Sequence, residues 1–450
     1  MSKSKSGAQE NNMKWWQLSL FGIGCTIGTG FFLGSSLAIK MTGPSLLIAY
    51  VIAAVGTYMV FDALSKMTAQ EPLEGGFRSY AKKAYGRWAG FSSGWVYWVS
   101  EVLIMGSQMT ALSIFSRFWF PKVPLWLFAA GYAILGLVVI LIGVGLLNKL
   151  ENILAVIKIS AILMFIIIAL LAIFGIIDGD RPIEYPNSKK ELLPGGILGL
   201  WSAVIFAYYA FGGIEILGLM ATKLKDPKDA PKAGRVMLFS LMIIYALSIG
   251  LAVMMVSWHK FNDKESPFVI ALDAYNLSFV PHIFNGALII AGFSTMTASL
   301  YGVTSVLVTL AEEGDAPVSF SKKGKLKVPL PTLILTMLGI ASSVVSALLM
   351  PNKVYEYITT AAGLMLLYNW MFILASPRKL LKLKKMDKIK YFIGTVFILI
   401  AVSGTLFHDT SRPGFFISLA FIGVIGAITL IMNTKWKKKR KRVLYPWPTS

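Results

Sequence analysis

The sequence predicts an all-α integral membrane protein of 12 transmembrane helices, on three observations. The chain is 56% hydrophobic with a mean hydropathy of +0.67. Its apolar runs recur to the end and reach about 20 residues, the length a helix needs to cross a hydrocarbon core ~30 Å thick. Its net charge of +21 is unevenly placed. With the N-terminus inside, Lys and Arg show about a threefold excess on the cytoplasmic segments, the positive-inside signal. This distribution argues against nucleic-acid binding, and the basic run Lys435–Arg442 would instead meet anionic lipid.

Span one, from about Trp16 to Ala38, carries five glycines between Gly22 and Gly34, with Thr26 and Thr29 among them. Glycine costs a helix interior roughly 1 kcal/mol relative to Ala, so these residues serve something besides spanning. Two readings stay open. The glycines permit close helix packing, or they break the helix at mid-membrane and free backbone N–H groups for an anionic ligand. Span two (about Ser45–Thr68) carries Asp62 and Lys66 as an i,i+4 pair near its cytoplasmic end. Span three (about Trp88–Phe115) contains Glu101 and Gln108 among aromatic and small residues. Spans four and five follow, at about Pro124–Val144 and Leu150–Ile177, with Lys158 inside the fifth.

Span six, from Gly196 to about Thr222, is the second interrupted one, reading Tyr208-Tyr209-Ala210-Phe211-Gly212-Gly213-Ile214-Glu215. Span seven covers about Gly234–Ser257. Span eight (about Pro281–Leu310) is rich in hydroxyls, including Ser294 and Ser299. Spans nine to twelve lie at about Pro331–Met350, Tyr355–Ala375, Tyr391–Leu406 and Pro413–Met432. Glycine-interrupted spans five apart point to an inverted repeat with a site at the midplane. The chain then divides into a cytoplasmic tail (1–14), a first five-helix repeat (15–177) and an outer loop (178–195). A second repeat (196–376), helices 11 and 12 (377–434) and a basic cytoplasmic tail (435–450) complete it. No cleavable signal segment is expected, because the first residues are polar and the apolar run after them is too long.

An ionisable residue within a span costs at least ~2.5–3.5 kcal/mol on insertion scales and is a functional candidate by default. Glu215 follows the glycine pair, so a break there sets it beside freed backbone groups, as a proton or gating group or as a structural hydrogen-bond partner. Poor solvation disfavours the charged form of carboxyls and amines alike, the tunability that proton coupling needs. Lys158 would stand in for a coupling cation or shuttle the proton, unless it snorkels to the surface. Glu101 would face a polar cavity, a cationic substrate or Lys158. Ser294 and Ser299 are either packing residues or part of the site, and Tyr209 is the aromatic best placed to cover a small ligand. The single cysteine, Cys25, excludes an intramolecular disulfide and a Cys-x-x-Cys metal site. His259, His282 and His408 are widely spaced at outer span ends. No nucleophile–base arrangement suggests an enzyme, and no ring of filter residues suggests a channel.

The segments GIGCTIGTGFFLGSS, GPSLLIAY, AGFSSGWVYW, AVIKISAI, FGGIEILG with DPKDAPKA, and LAEEGDAP with VPLP resemble amino acid permeases of the amino acid–polyamine–organocation superfamily, in its bacterial amino acid transporter branch. The resemblance covers about residues 14–435. It implies a leucine-transporter-type fold of two inverted five-helix repeats (5+5) with discontinuous helices 1 and 6. It also implies a substrate carboxylate at Gly28-Thr29-Gly30, and an ammonium at carbonyls around Thr26 and Ile27 and near Tyr209, Ala210 and Gly212. Lys158 takes the place of a coupling cation there, with Glu215 in gating or coupling. Three positions depart from the pattern: Asp62/Lys66 replace a common Arg-x-x-x-Glu, Lys223 a common Glu, and Gln108 a glutamate of span three, where Glu101 is unusual.

The expected function is import of an amino acid across the cytoplasmic membrane by proton symport, with no cofactor beyond the proton. A neutral substrate is expected from the few charges near the site, with a cationic one paired to Glu101 as the alternative. An amino acid exchanger and a membrane amino acid sensor are the other readings.

Overall fold

The computed structural model describes residues 13–142, 144–177, 186, 188–262, 264–273, 275, 277, 279–322, 329–349 and 354–444. Residues 1–12 of the N-terminal tail, 178–185 and 187 of the expected outer loop, and 445–450 of the basic tail lie outside the described residues. The described chain is a bundle of helices: α1 (Trp15–Thr26), α2 (Thr29–Phe32), α3 (Gly34–Thr42), α4 (Leu46–Gln70), α5 (Phe77–Tyr85), α6 (Arg87–Arg117), α7 (Leu125–Ile142), α8 (Val144–Ile173), α9 (Lys189–Leu192) and α10 (Gly196–Ala210). It continues with α11 (Ile214–Met220), α12 (Ala230–Met255), α13 (Pro267–Asp273), α14 (Val280–Glu312), α15 (Leu330–Leu349), α16 (Val354–Ala375), α17 (Pro377–Leu380), α18 (Lys385–Gly404) and α19 (Arg412–Leu444). Among the described residues, nine helical stretches are long and apolar enough to cross a membrane. An apolar helix is the form that satisfies its own backbone where no water is available.

The apolar helices differ widely in how far they are buried. Of the most apolar part of α6, 89% is buried inside the protein, against 17% in α7 and 17% in α19. α6 packs against α14, α16, α15, α7, α5 and α19. Its small residues allow the close approaches: a Cβ on Gly94 would stand 3.0 Å from Leu310 of α14. The outer helices turn Ile134, Leu135, Phe239, Phe416 and Leu430 outward, as expected where lipid is the solvent.

The first and sixth expected spans are both interrupted. α1 stops at Thr26, whose Oγ1 donates back to the Gly22 carbonyl at 2.8 Å. Ile27 and Gly28 are extended before the chain turns helical again at Thr29. α10 stops at Ala210, and Gly213 sits at φ 110°, which admits few other residues, before α11 starts. The broken-helix reading of Gly22–Gly34 therefore holds over the packing-only reading. Close packing contributes as well, because a Cβ on Gly28 would lie 2.6 Å from Thr295 Oγ1.

Two charge clusters tie connecting segments together. Arg78 of α5, fully buried, pairs with Glu313 and reaches Asp315 at 3.2 Å. Arg87 meets Asp315 at 2.5 Å and Lys82 meets Glu313 at 2.8 Å. Burial pushes the Glu313 carboxyl up, but the hydrogen bonds from Arg78 and Lys82 prevail and hold it below the usual carboxylate value. In the second cluster Asp62 and Lys66 form the expected local pair at 3.1 Å. Lys66 also reaches Asp387 of α18 at 2.7 Å, and Lys390 pairs with Asp62. The departure from the common Arg-x-x-x-Glu pattern thus forms part of a clamp between α4 and α18.

The hydrogen bond from Lys66, with the Lys66 and Lys390 charges behind it, holds the Asp387 carboxyl below its ordinary value against partial burial. A depressed carboxylate contributes stability above its unfolded value near pH 4 and loses it as pH falls through the folded value. Asp387→Asn should therefore cost about 0.5–1 kcal/mol at pH 7, scaled for a half-exposed pair. Thermal unfolding of the purified protein should show that difference at pH 7 and a progressively smaller one as the pH falls below about 4.

Candidate substrate site at the paired helix breaks

The two breaks meet. A Cβ on Gly213 would stand 2.8 Å from the Cys25 carbonyl oxygen, so the interruption of α10/α11 lies directly against that of α1/α2. An interrupted helix leaves backbone groups without intrahelical partners, and side chains from other helices take up several of them. Tyr245 of α12 donates to the Ala210 carbonyl at 3.0 Å. Lys158 of α8, fully buried, donates to the Gly24 carbonyl at 2.5 Å. Glu215 binds its own helix start, with Oε2 accepting from the Gly213 N–H at 3.0 Å and Oε1 from the Trp370 indole of α16. A carboxylate at a helix N-terminus also suits the helix dipole.

Beside the junction is a small cavity. Cys25, Thr26, Gly28, Thr29 and Gly30 form one wall, and Tyr209, Gly212 and Gly213 a second. Glu101, Ile104 and Gln108 of α6 and Thr295 and Ser299 of α14 close it. The glycines keep it open: a Cβ on Gly30 would lie 2.9 Å from the Tyr209 ring. That ring is held by a 2.6 Å hydrogen bond between the Tyr209 and Ser107 hydroxyls.

The structure gathers most of the residues singled out by sequence. Thr26, Gly28, Thr29, Gly30, Tyr209 and Gly212 line the cavity, as do Glu101, Gln108 and Ser299. Ile27, Ala210 and Ser294 are buried but do not line it. Lys158 and Glu215 stand behind its walls, each bonded to one broken helix. Lys158 does not snorkel, since none of it is exposed, and its bond goes to Gly24 rather than to Glu101. Lys223 lies with its ammonium 5.8 Å from the Tyr301 ring, away from the cavity. Sequence reading named neither Cys25 nor Gly213 as a lining residue, and it left out Ile104 and Thr295 as well. Helical spacing could have found the last two, because Ile104 is three residues from Glu101 and Thr295 four from Ser299.

The chain matches the family described as amino acid permease over residues 17–442. It belongs to the amino acid permease family. An uncharacterized transporter, YcgH of Bacillus subtilis (strain 168), is 52% identical over 97% of this chain and 98% of its own. The gamma-aminobutyric acid permease of the same organism is 29% identical over 98% of this chain and 96% of its own. The aromatic amino acid transport protein AroP of Escherichia coli O6:H1 is 28% identical over 94% and 95%. The permease is thus a multi-pass membrane protein of a transporter family, and the paired breaks lie within the matched region.

Trp370→Phe would remove a donor from the buried Glu215 carboxylate. The expected cost is about 1–3 kcal/mol, the penalty of leaving a buried charged group short of a partner. A lowered unfolding temperature of the detergent-purified permease, with its ordinary oligomeric profile on size exclusion, checks it.

Proposed function

We propose that this permease imports an amino acid across the cytoplasmic membrane by proton symport, through alternating access to a site between its two broken helices. The observation that supports this reading is the cavity at the paired breaks, where backbone interrupted at Gly28–Gly30 and at Gly212–Gly213 forms two of the walls. Carboxylate and ammonium are the groups such backbone can recognise without any charged side chain. The names of the gamma-aminobutyric acid and aromatic amino acid relatives agree with a zwitterionic substrate. We place the helices in 12 spans with a 5+5 inverted repeat, both termini cytoplasmic, basic tails against anionic lipid, and no cofactor.

Lys158 and Glu215 take the coupling roles. The Lys158 ammonium makes a charge-assisted hydrogen bond to Gly24, two residues before the end of α1. Loss of its proton weakens that bond and loosens the end of the helix that helps to form the site. Glu215 holds the start of α11 and, through Trp370, links it to α16, so a change in its charge acts on two elements together. Proton binding is thereby tied to the shape of the site without occupying it.

The test is uptake of radiolabelled amino acids by purified protein in liposomes, with and without an inward proton gradient. The expected result is gradient-driven accumulation that Lys158→Ala abolishes and Glu215→Gln reduces at least tenfold. Uptake only in exchange for a preloaded amino acid, indifferent to the gradient, would make the permease an exchanger. Absence of uptake in this partner-free system would favour sensing.

A further inference from the structure

The wall of the cavity built by α6 is the part that substrate recognition through backbone leaves unused. Glu101 and Gln108 lie seven residues apart, two turns along one face, and both line the cavity. Each is almost wholly buried, at 2% and 5% exposure. Among the described residues, Glu101 Oε2 and Gln108 Oε1 have no hydrogen-bond partner. Ser299 and Tyr97 stand beside the Glu101 carboxyl, and the charge it feels most closely is that of a second carboxyl, Glu215. No Lys or Arg forms an ion pair with Glu101 among the described residues.

The contrast with Glu215 is informative. Both Glu215 oxygens are taken by donors supplied by the protein, Gly213 and Trp370. Glu101, almost as deeply buried, lines the cavity with one oxygen unpaired. Burying a polar acceptor without a donor costs on the order of 1–3 kcal/mol, and more when it is charged. Two such acceptors on one wall call for a donor-rich, positively charged group that arrives with the ligand. Of the hydroxyls in the lining, Thr26 and Thr295 donate to carbonyls of their own helices, while Thr29 Oγ1 has no partner among the described residues.

We infer that the substrate is an amino acid whose side chain ends in a protonated nitrogen, received by Glu101 and Gln108 on α6. The inference rests on the transport reading above and adds the chemical class of the substrate. It favours the cationic alternative over the neutral one. Ser299 and Tyr97 would hold the carboxylate in place, and Ile104, on the same face between the two acceptors, would pack along the aliphatic part of the side chain.

The experiment uses matched pairs that differ only by the terminal amine: lysine and norleucine, ornithine and norvaline, 2,4-diaminobutyrate and 2-aminobutyrate. Each is titrated against the purified full-length protein at pH 7, reading the rise in unfolding temperature, and then tested for uptake into liposomes. In at least one pair the amine-bearing member should bind at a concentration at least tenfold lower. Glu101→Gln should remove that preference, and Gln108→Leu should reduce it about threefold. Equal binding within every pair overturns the inference even if both variants fail to fold. So does a preference that survives Glu101→Gln while proton-driven accumulation is lost, which would make Glu101 a proton site instead. If no amino acid binds or enters at all, the transport reading falls, an outcome distinct from uptake without preference.

Discussion

The structure depends on the pairing of two helix interruptions deep in an apolar bundle. Hydrocarbon offers no hydrogen bonds, so a break in a spanning helix is tolerated only where protein or a cavity receives the freed groups. Here each break is the neighbour of the other, with Gly213 against the Cys25 carbonyl. Side chains from α8 and α12 supply part of what is missing, through Lys158 and Tyr245, while Glu215, itself bonded to Trp370 of α16, accepts from Gly213. What they do not supply faces the cavity. The cavity and the stabilisation of the breaks are therefore one arrangement seen from two sides.

This arrangement separates duties among the buried charges. Lys158 and Glu215 are bonded to backbone at the end of one half-helix and the start of the other, outside the lining. Glu101 lines the cavity with an unpaired oxygen. Groups tied to helix ends can alter the site's shape when their charge changes, whereas a group in the wall can discriminate among ligands. Two glutamates of similar depth thus have different chemistry because one is fully bonded by its own protein and the other is not.

The connecting segments are held by charge as well as by apolar packing, with Phe77 and Tyr80 of α5 in the core. Arg78, Lys82 and Arg87 gather Glu313 and Asp315 at the end of α14, and Asp62, Lys66, Asp387 and Lys390 join α4 to α18. Ion pairs of this kind reform more readily than interdigitated cores.

Much of the fold and site was legible before any coordinates. Run length and hydropathy marked the helices, because a bilayer imposes one length and one polarity on whatever crosses it. The glycines at 22–34 and 212–213 marked the breaks, because glycine at membrane depth is costly unless backbone freedom or close approach requires it. Those positions, with Tyr209, named most of the cavity's backbone walls. Only the tertiary structure decided which side chains face that cavity. α6 is buried nearly all round, so hydropathy singles out no face of it, and Glu101 and Gln108 could equally have met a neighbouring helix. The partners of Lys158 and Glu215 are likewise 134 and 155 residues away in the chain, at Gly24 and Trp370. Sequence sets the cost of burying each group, but packing alone determines which group meets it.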